Sequence, residues 1–258
     1  MIKIERVEVR CALSPDDIRR HMRSAMARGL PEFVASSQSA SASIVAGGPS
    51  LADTVGRIAA RPVIACNGAA RFIADRGVAP DFCCVADGSD AIAAYFTDPV
   101  SGRYLCASQC PPAVFDALSG RDVTLWHNDN GEGVERAVLE ERGGPWTMVG
   151  GGSTVGLRAV YLAYLMGARD IHLYGFDSCY QDGEHHAYQS PSPVDAAGVA
   201  MPVHAGGRTF SCAPWMISQA DEFQRVVKAL PDATFTVHGD GLISWVARLM
   251  STTQQERQ

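Results

Sequence analysis

Ile44-Val45-Ala46-Gly47-Gly48-Pro49-Ser50-Leu51 decides the fold of this chain. An apolar run breaks into a glycine pair just before a helix start, which is how a strand of a parallel sheet hands over to its crossover helix. Glycines 47 and 48 let backbone approach a ligand, and Pro49 presets a turn. Ser50 is placed to cap the next helix, with Asp53 three residues on at the capping-box spacing. A helix N-terminus of this kind attracts anions. The run has neither the spaced glycines of a dinucleotide fingerprint nor the Gly-Lys-Ser/Thr of a P-loop, so a plain strand-to-helix turn and a phosphate seat both stand as readings.

Downstream, short β-like runs alternate with segments long enough for helices: Val63–Cys66, Phe82–Val85, Tyr104–Ala107, Val123–Trp126 and Ile171–Tyr174. That alternation predicts an α/β, Rossmann-like, doubly wound and mainly parallel sheet with helices on both faces. The runs end in Gly47-Gly48, Asn67-Gly68, Asp87-Gly88, Ser108-Gln109 and Asp177-Ser178. These ends are the carboxyl ends of strands, where open α/β sheets bind ligands. Gly150-Gly151-Gly152-Ser153-Thr154 precedes an apolar helix from Val155 to Met166, and its N-terminus is either a second anion seat or a tight helix entry.

Upstream, residues 1–34 read as a small N-terminal appendage, with an alternating segment at Ile2, Ile4, Val7 and Val9 and a helix opened by Ser14-Pro15-Asp16-Asp17. Residues 35–43 are small and polar and read as a flexible linker. The main domain is expected over 44–250, with a polar tail over 251–258. The stretch 177–213 reads as a long irregular loop, the place for a lid, and it carries His185, His186, Tyr188 and His204. Helices are expected over Ile217–Leu230 and Leu242–Met250, with a strand at Phe235–Val237.

The chain has 258 residues, 47% of them apolar, and a formal net charge of −6, which suits a full core and argues against a nucleic-acid surface. The expected partner is a small nucleotide ligand, with no nucleic acid, no membrane span, and self-association left open. The charged start, Met1 to Arg10, does not read as a signal peptide, so the expected location is cytoplasmic. Eight cysteines lie mostly inside apolar runs and read as small buried hydrophobes, with no spacing that supports a zinc site.

Taken in order, Gly-Gly-Pro-Ser-Leu, Cys66-Asn67-Gly68-Ala69, Gly77-Val78-Ala79-Pro80-Asp81 and Ala86-Asp87-Gly88 resemble the 6-hydroxymethylpterin diphosphokinase MptE-like domain, also present in flagellin-modifying motility accessory factors. The second half, through Gly175-Phe176-Asp177 and Tyr180-Gln181-Asp182-Gly183, also resembles bacterial sialyltransferases that use CMP-sialic acid. The resemblance implies a nucleotide pocket with Gly47, Gly48, Pro49 and Ser50 at the phosphates, Asn67 and Asp87 lining it, and Gly152, Ser153 and Thr154 near the base or ribose. In the sialyltransferases two tyrosines polarise the leaving phosphate, and Tyr180 and Tyr188 match them. No metal is needed there. Where the sialyltransferases carry a general-base histidine, this chain has Cys212 or a close neighbour, which leaves His185, His186 and His204 of the same loop as the candidates for a base. A neutral imidazole suits proton abstraction from a sugar hydroxyl.

The expected function is therefore a nucleotide-dependent, glycosyltransferase-like transferase with a nucleotide or nucleotide-sugar donor. One alternative is a magnesium- and ATP-dependent diphosphokinase holding Mg2+ through Asp87 and Asp90. The other is a non-catalytic nucleotide-binding module. Asp177 reads as a hydroxyl acceptor or a turn cap, His127-Asn128-Asp129-Asn130-Gly131 as a turn or a polar strand end, and Trp215 as a stacking platform or a core residue.

Overall fold

The computed structural model describes residues 13–100, 102–191 and 199–255. Eight strands form one sheet: β1 (Ser41–Val45), β2 (Val63–Cys66), β3 (Phe82–Val85), β4 (Arg103–Ala107), β5 (Asp122–Asn128), β6 (Met148–Val149), β7 (Asp170–Tyr174) and, after a hairpin of β8 (Met201–Ala205) and β9 (Arg208–Cys212), β10 (Thr234–His238). Their order is β10-β7-β1-β2-β3-β4-β5-β6, and every pairing among them is parallel. Strands buried on both faces need apolar runs rather than alternation, which is why Val63–Cys66 is fully buried along its length. The helices are α1 (Pro15–Met26), α2 (Leu51–Thr54), α3 (Ala69–Ala74), α4 (Pro112–Ala117), α5 (Val134–Arg142), α6 (Val155–Leu165), α7 (Pro214–Ala229) and α8 (Leu242–Gln255). They flank the sheet in a Rossmann-like α/β arrangement. The apolar α6 packs on β1, β2 and β3.

Strand order reverses at β1: the chain runs outward from β1 to β6, then returns to place β7 on the other side of β1. The crevice of a doubly wound sheet opens at such a point, at the carboxyl ends. All the polar strand ends named above fall on this edge.

Four sequence expectations change. The N-terminal helix is built into the domain: Ser14 Oγ accepts from Asp17 N–H at 3.1 Å, Ile18 and Met22 pack with Val138 and Leu139 of α5, and buried His21 bonds through Nδ1 to the Gln109 carbonyl at 3.0 Å. The alternating segment at 2–9 lies outside the described residues. The run 35–43 is not a free linker, because Ser36, Gln38 and Ser39 donate backbone N–H groups to Leu165 and Met166 carbonyls, and β1 begins at Ser41. The stretch 177–213 is not irregular throughout: β8 and β9 pair antiparallel around Gly206-Gly207, both at positive φ. That pair is a two-residue hairpin signal, masked by Pro202 in the strand before it. Helix α8 continues through Gln255, past the expected start of the tail.

No described helix is long and apolar enough to cross a membrane. Seven described cysteines are free and buried. Because Met22 is fully buried between α1 and α5, Met22→Ala is expected to cost about 2–5 kcal/mol. In a urea titration this reads as a lower midpoint at unchanged slope. A loosely attached appendage predicts no change.

Candidate functional site

The carboxyl ends of the strands enclose a cleft of about 980 Å³. It is built from both sides of the β1 reversal. Gly47 and Gly48 follow β1, Gly175 to Cys179 follow β7, Asn67 follows β2, Asp87 follows β3, and the Gly152–Leu157 entry of α6 closes one wall.

At the reversal point the two loops are tied together. Ala46 N–H bonds to the Tyr174 carbonyl at 2.8 Å and Gly48 N–H to the Gly175 carbonyl at 2.9 Å. Ser50 then donates both its backbone N–H and its hydroxyl to Asp177 Oδ2, each at 3.0 Å. The approach needs glycine: a Cβ on Gly48 would come within 2.2 Å of Asp177 Oδ2, and one on Gly175, at φ +67°, within 2.4 Å of the Ala46 carbonyl. This corrects two expectations. Ser50 is helical and caps nothing, and α2 is a single turn, too short for a helix-dipole seat. The Gly48 and Ser50 N–H groups read as phosphate donors are taken up inside the protein.

The second glycine turn is closed in the same way. Ser153 donates its N–H and its hydroxyl to Glu222 Oε2, both at 2.8 Å, while Thr154 caps α6 by accepting from Leu157 N–H. A Cβ on Gly152, at φ +128°, would lie 2.8 Å from that Glu222 oxygen. Each candidate anion seat thus already holds one of the chain's own carboxylates. At Ser50 the pairing satisfies donors that burial would otherwise orphan, while the Ser153 pair lies at the exposed rim.

The loop after β7 folds back onto the first turn. Ala187 N–H donates to the Gly47 carbonyl at 2.9 Å, and His186 Nδ1 reaches the same oxygen at 3.2 Å. A carbonyl only accepts, so Nδ1 carries the proton and neutral His186 has its lone pair on Nε2. The rings form a continuous train: Trp215 to His185 (5.7 Å), His185 to His186 (4.2 Å), His186 stacked on Tyr188 (5.4 Å), and Tyr188 to Tyr95 (6.2 Å). Gly47 and Gly68 leave space for Tyr188, since a Cβ on Gly47 would meet its hydroxyl at 2.5 Å and one on Gly68 its ring at 2.6 Å.

Of the residues expected from sequence, His185, His186, Tyr188, Asp177, Gly47, Gly48, Asn67, Asp87, Gly152, Ser153 and Thr154 line the cleft. Pro49, Ser50, Tyr180, Asp90 and His204 do not. Tyr180 pairs with Ser211 through its backbone and sets its ring edge-on to His185 at 5.7 Å, so it supports the histidine. His204 sits on the hairpin, bonded to Thr209 Oγ1. Cys212 is fully buried, donates to the Ser178 carbonyl, and burial pushes its thiol up to about 12, so it offers no base. Of the two aspartates read as magnesium ligands, Asp87 lines the cleft with its Oδ1 accepting from Ser89 N–H, while Asp90 opens a 3-10 helix that lines the cleft through Ile92 and Tyr95 but not through Asp90. Among the described residues no group of three His, Cys, Asp or Glu side chains is placed to hold a metal.

Sequence reading missed the polar floor. Buried Arg158 in α6 donates to the Asp129 and Val149 carbonyls at 2.7 and 2.9 Å and to Asn130 Oδ1 at 3.0 Å. Asn130 also accepts from Asn128 Nδ2 and donates to buried Glu135, whose carboxyl burial raises. The signal was a lone arginine in an apolar helix, because a buried guanidinium has to find acceptors. The Asn-Gly segment is a turn as well, with Asp129 Oδ1 accepting from Gly131 N–H.

A family model described as 6-hydroxymethylpterin diphosphokinase MptE-like matches residues 20–183, from within α1 to the loop after β7. No curated protein matches the chain. Among solved structures, a MAf glycosyltransferase from Magnetospirillum magneticum AMB-1 aligns with TM-score 0.64 at 18% identity, over 90% of this chain and 38% of that one. At this identity the likeness is one of fold, and the chain spans well under half the length of that protein.

Burial raises the Asp177 carboxyl above its ordinary value, against the opposing hydrogen bonds from Ser50. The folded state therefore holds the proton more tightly than the unfolded one. Stability from this group is complete below the unfolded value of about 3.9 and is lost as pH rises through the folded value. Asn at 177 keeps an acceptor for Ser50 without the charge. The midpoint of Asp177→Asn relative to the parent is expected to rise between pH 4 and pH 7, and a flat difference in thermal melts would refute the burial argument.

Proposed function

The chain belongs to the 6-hydroxymethylpterin diphosphokinase MptE-like family, and from that premise we propose that it is a nucleotide-dependent transferase that moves a sugar from a nucleotide-sugar donor to an acceptor hydroxyl. The observation that carries this reading is the hydrogen bond between His186 Nδ1 and the Gly47 carbonyl, on a side chain that lines the cleft. With Nδ1–H donated to the Gly47 carbonyl, Nε2 is the basic nitrogen of a side chain that lines the cleft. The Tyr188 hydroxyl lies in the same corner, against Gly47. The fold it shares with a protein named as a glycosyltransferase supports the same reading.

In this mechanism the donor lies along the strand ends between Gly47 and Gly152. The acceptor oxygen attacks the anomeric carbon while the bond from that carbon to the phosphate oxygen breaks. His186 Nε2 takes the hydroxyl proton, and the Tyr188 hydroxyl donates a hydrogen bond to the leaving phosphate. His185 and Tyr180 pack the base in place. Asp177 has Oδ2 engaged by Ser50, so its part is to hold the β1 and β7 loops together. Gly47 and Gly48 shape the wall beside the phosphate without seating it in a nest of N–H groups.

Thermal midpoints with CMP, UDP, GDP, ADP and ATP, in EDTA and in magnesium, test the binding step, since a ligand of the folded state raises the midpoint by mass action. A shift that persists in EDTA is expected. With the nucleotide sugar that binds, His186→Gln should lower kcat about 10²–10⁴-fold at a preserved shift. Unchanged kcat removes the base role. Magnesium-dependent release of AMP from ATP with a pterin alcohol replaces the sugar-transfer reading with the diphosphokinase one.

A further inference from the structure

One wall of the cleft has no part in that mechanism. The cleft-lining residues of α7 include Trp215, Gln219, Glu222 and Arg225. Steps of four, three and three residues put them on one helix face. The adjoining face carries Met216, Ala220, Phe223 and Val226 into the core. An indole, an amide, a carboxylate and a guanidinium along one line are poor core material, and here they are turned to the cleft.

Two of these side chains are held in fixed orientations. Ser178 Oγ donates to Gln219 Oε1 at 2.7 Å, and Ser153 donates twice to Glu222 Oε2. The described bonds use one oxygen of each. Gln219 Nε2 and Glu222 Oε1 take part in no described bond, and both side chains line the cleft beside the half-buried ring of Trp215. Gly152 keeps the space that Glu222 needs. Through His185, the Trp215 ring adjoins His186.

An aromatic surface beside a fixed donor and a fixed acceptor matches a polyhydroxylated ring. The C–H face of such a ring packs on the indole, and each hydroxyl both donates and accepts. Beside Glu222 a phosphate is disfavoured, because that carboxylate repels it and holds the Ser153 donors, and the neighbouring Arg225 is paired with Asp221. We infer that Trp215, Gln219 and Glu222 form the subsite for the sugar ring of the donor, which places the anomeric carbon beside His186 and the nucleotide farther along the strand ends. This inference rests on the sugar-transfer reading above and names residues that reading does not use.

Calorimetric titration separates the two. The parent, Gln219→Ala and Trp215→Leu are titrated with CMP and CMP-N-acetylneuraminic acid, UDP and UDP-N-acetylglucosamine, and GDP and GDP-mannose. The parent is expected to bind one pair, with the sugar form tighter than the bare nucleotide. Each variant is expected to weaken the sugar form about tenfold while leaving the bare nucleotide within about twofold, and the retained nucleotide affinity shows that the variant is folded. Equal weakening of both forms, or of neither, overturns the subsite. So does a parent that binds a nucleotide no more weakly than its sugar form. A parent that binds no nucleotide and no nucleotide sugar overturns the sugar-transfer reading, and the subsite with it. Should Trp215→Leu fail to fold, Gln219→Ala decides, its side chain being on the cleft surface.

Discussion

The contact between Ser50 and Asp177 organises this molecule at its most sensitive point. A doubly wound sheet splits where the strand order reverses, and the loops after β1 and β7 must diverge there to make a crevice. In this chain a buried carboxylate accepts both the N–H and the hydroxyl of Ser50 and holds the loops at a set separation. Gly48 and Gly175 allow that separation to be short. With the crevice tied at its base, the ligand space moves outward, toward Gly47, the folded-back histidine loop and the wall of α7.

The pattern repeats at α6, where Glu222 takes both donors of Ser153. Two glycine turns that on chemical grounds invite phosphate are each satisfied by an internal carboxylate. Burying a charge is costly unless it is paired, and an N–H donor is costly unless it has an acceptor. Joining the two gives the donors an acceptor and offsets part of the cost of burying the Asp177 carboxylate, which burial still raises. For the proposed transfer, this leaves the leaving phosphate to side chains on the loop after β7 rather than to backbone nests, and sets a carboxylate at the α6 end of the cleft.

Much of the architecture was legible in the sequence because it depends on local pattern. Seven strands of the main sheet, β1 to β5, β7 and β10, followed from apolar runs broken by turn residues, and the family resemblance lay in the order of those breaks. The β8–β9 hairpin was hidden because Pro202 and exposed positions dilute its strand signal, although Gly206-Gly207 marked the turn. β6 is only two residues long and carries no period. Helix α1 looked separable because its buried face, Ile18 and Met22, finds its partners on α5, more than a hundred residues later.

By itself, then, the amino-acid sequence determined the layered α/β fold, the edge of the sheet where chemistry gathers, and the loop that carries the histidines. These depend on hydrophobic period, glycine placement and chain connectivity, all readable within a few residues. Only the tertiary structure decided which donors remain for a ligand and which nitrogen of His186 is basic. Asp177 reaches Ser50 across 127 positions, Gly47 meets His186 across 139, and Glu222 meets Ser153 across 69. The state of a polar atom depends on what lies within about 3 Å of it, and at those sequence separations only the folded chain specifies the neighbour.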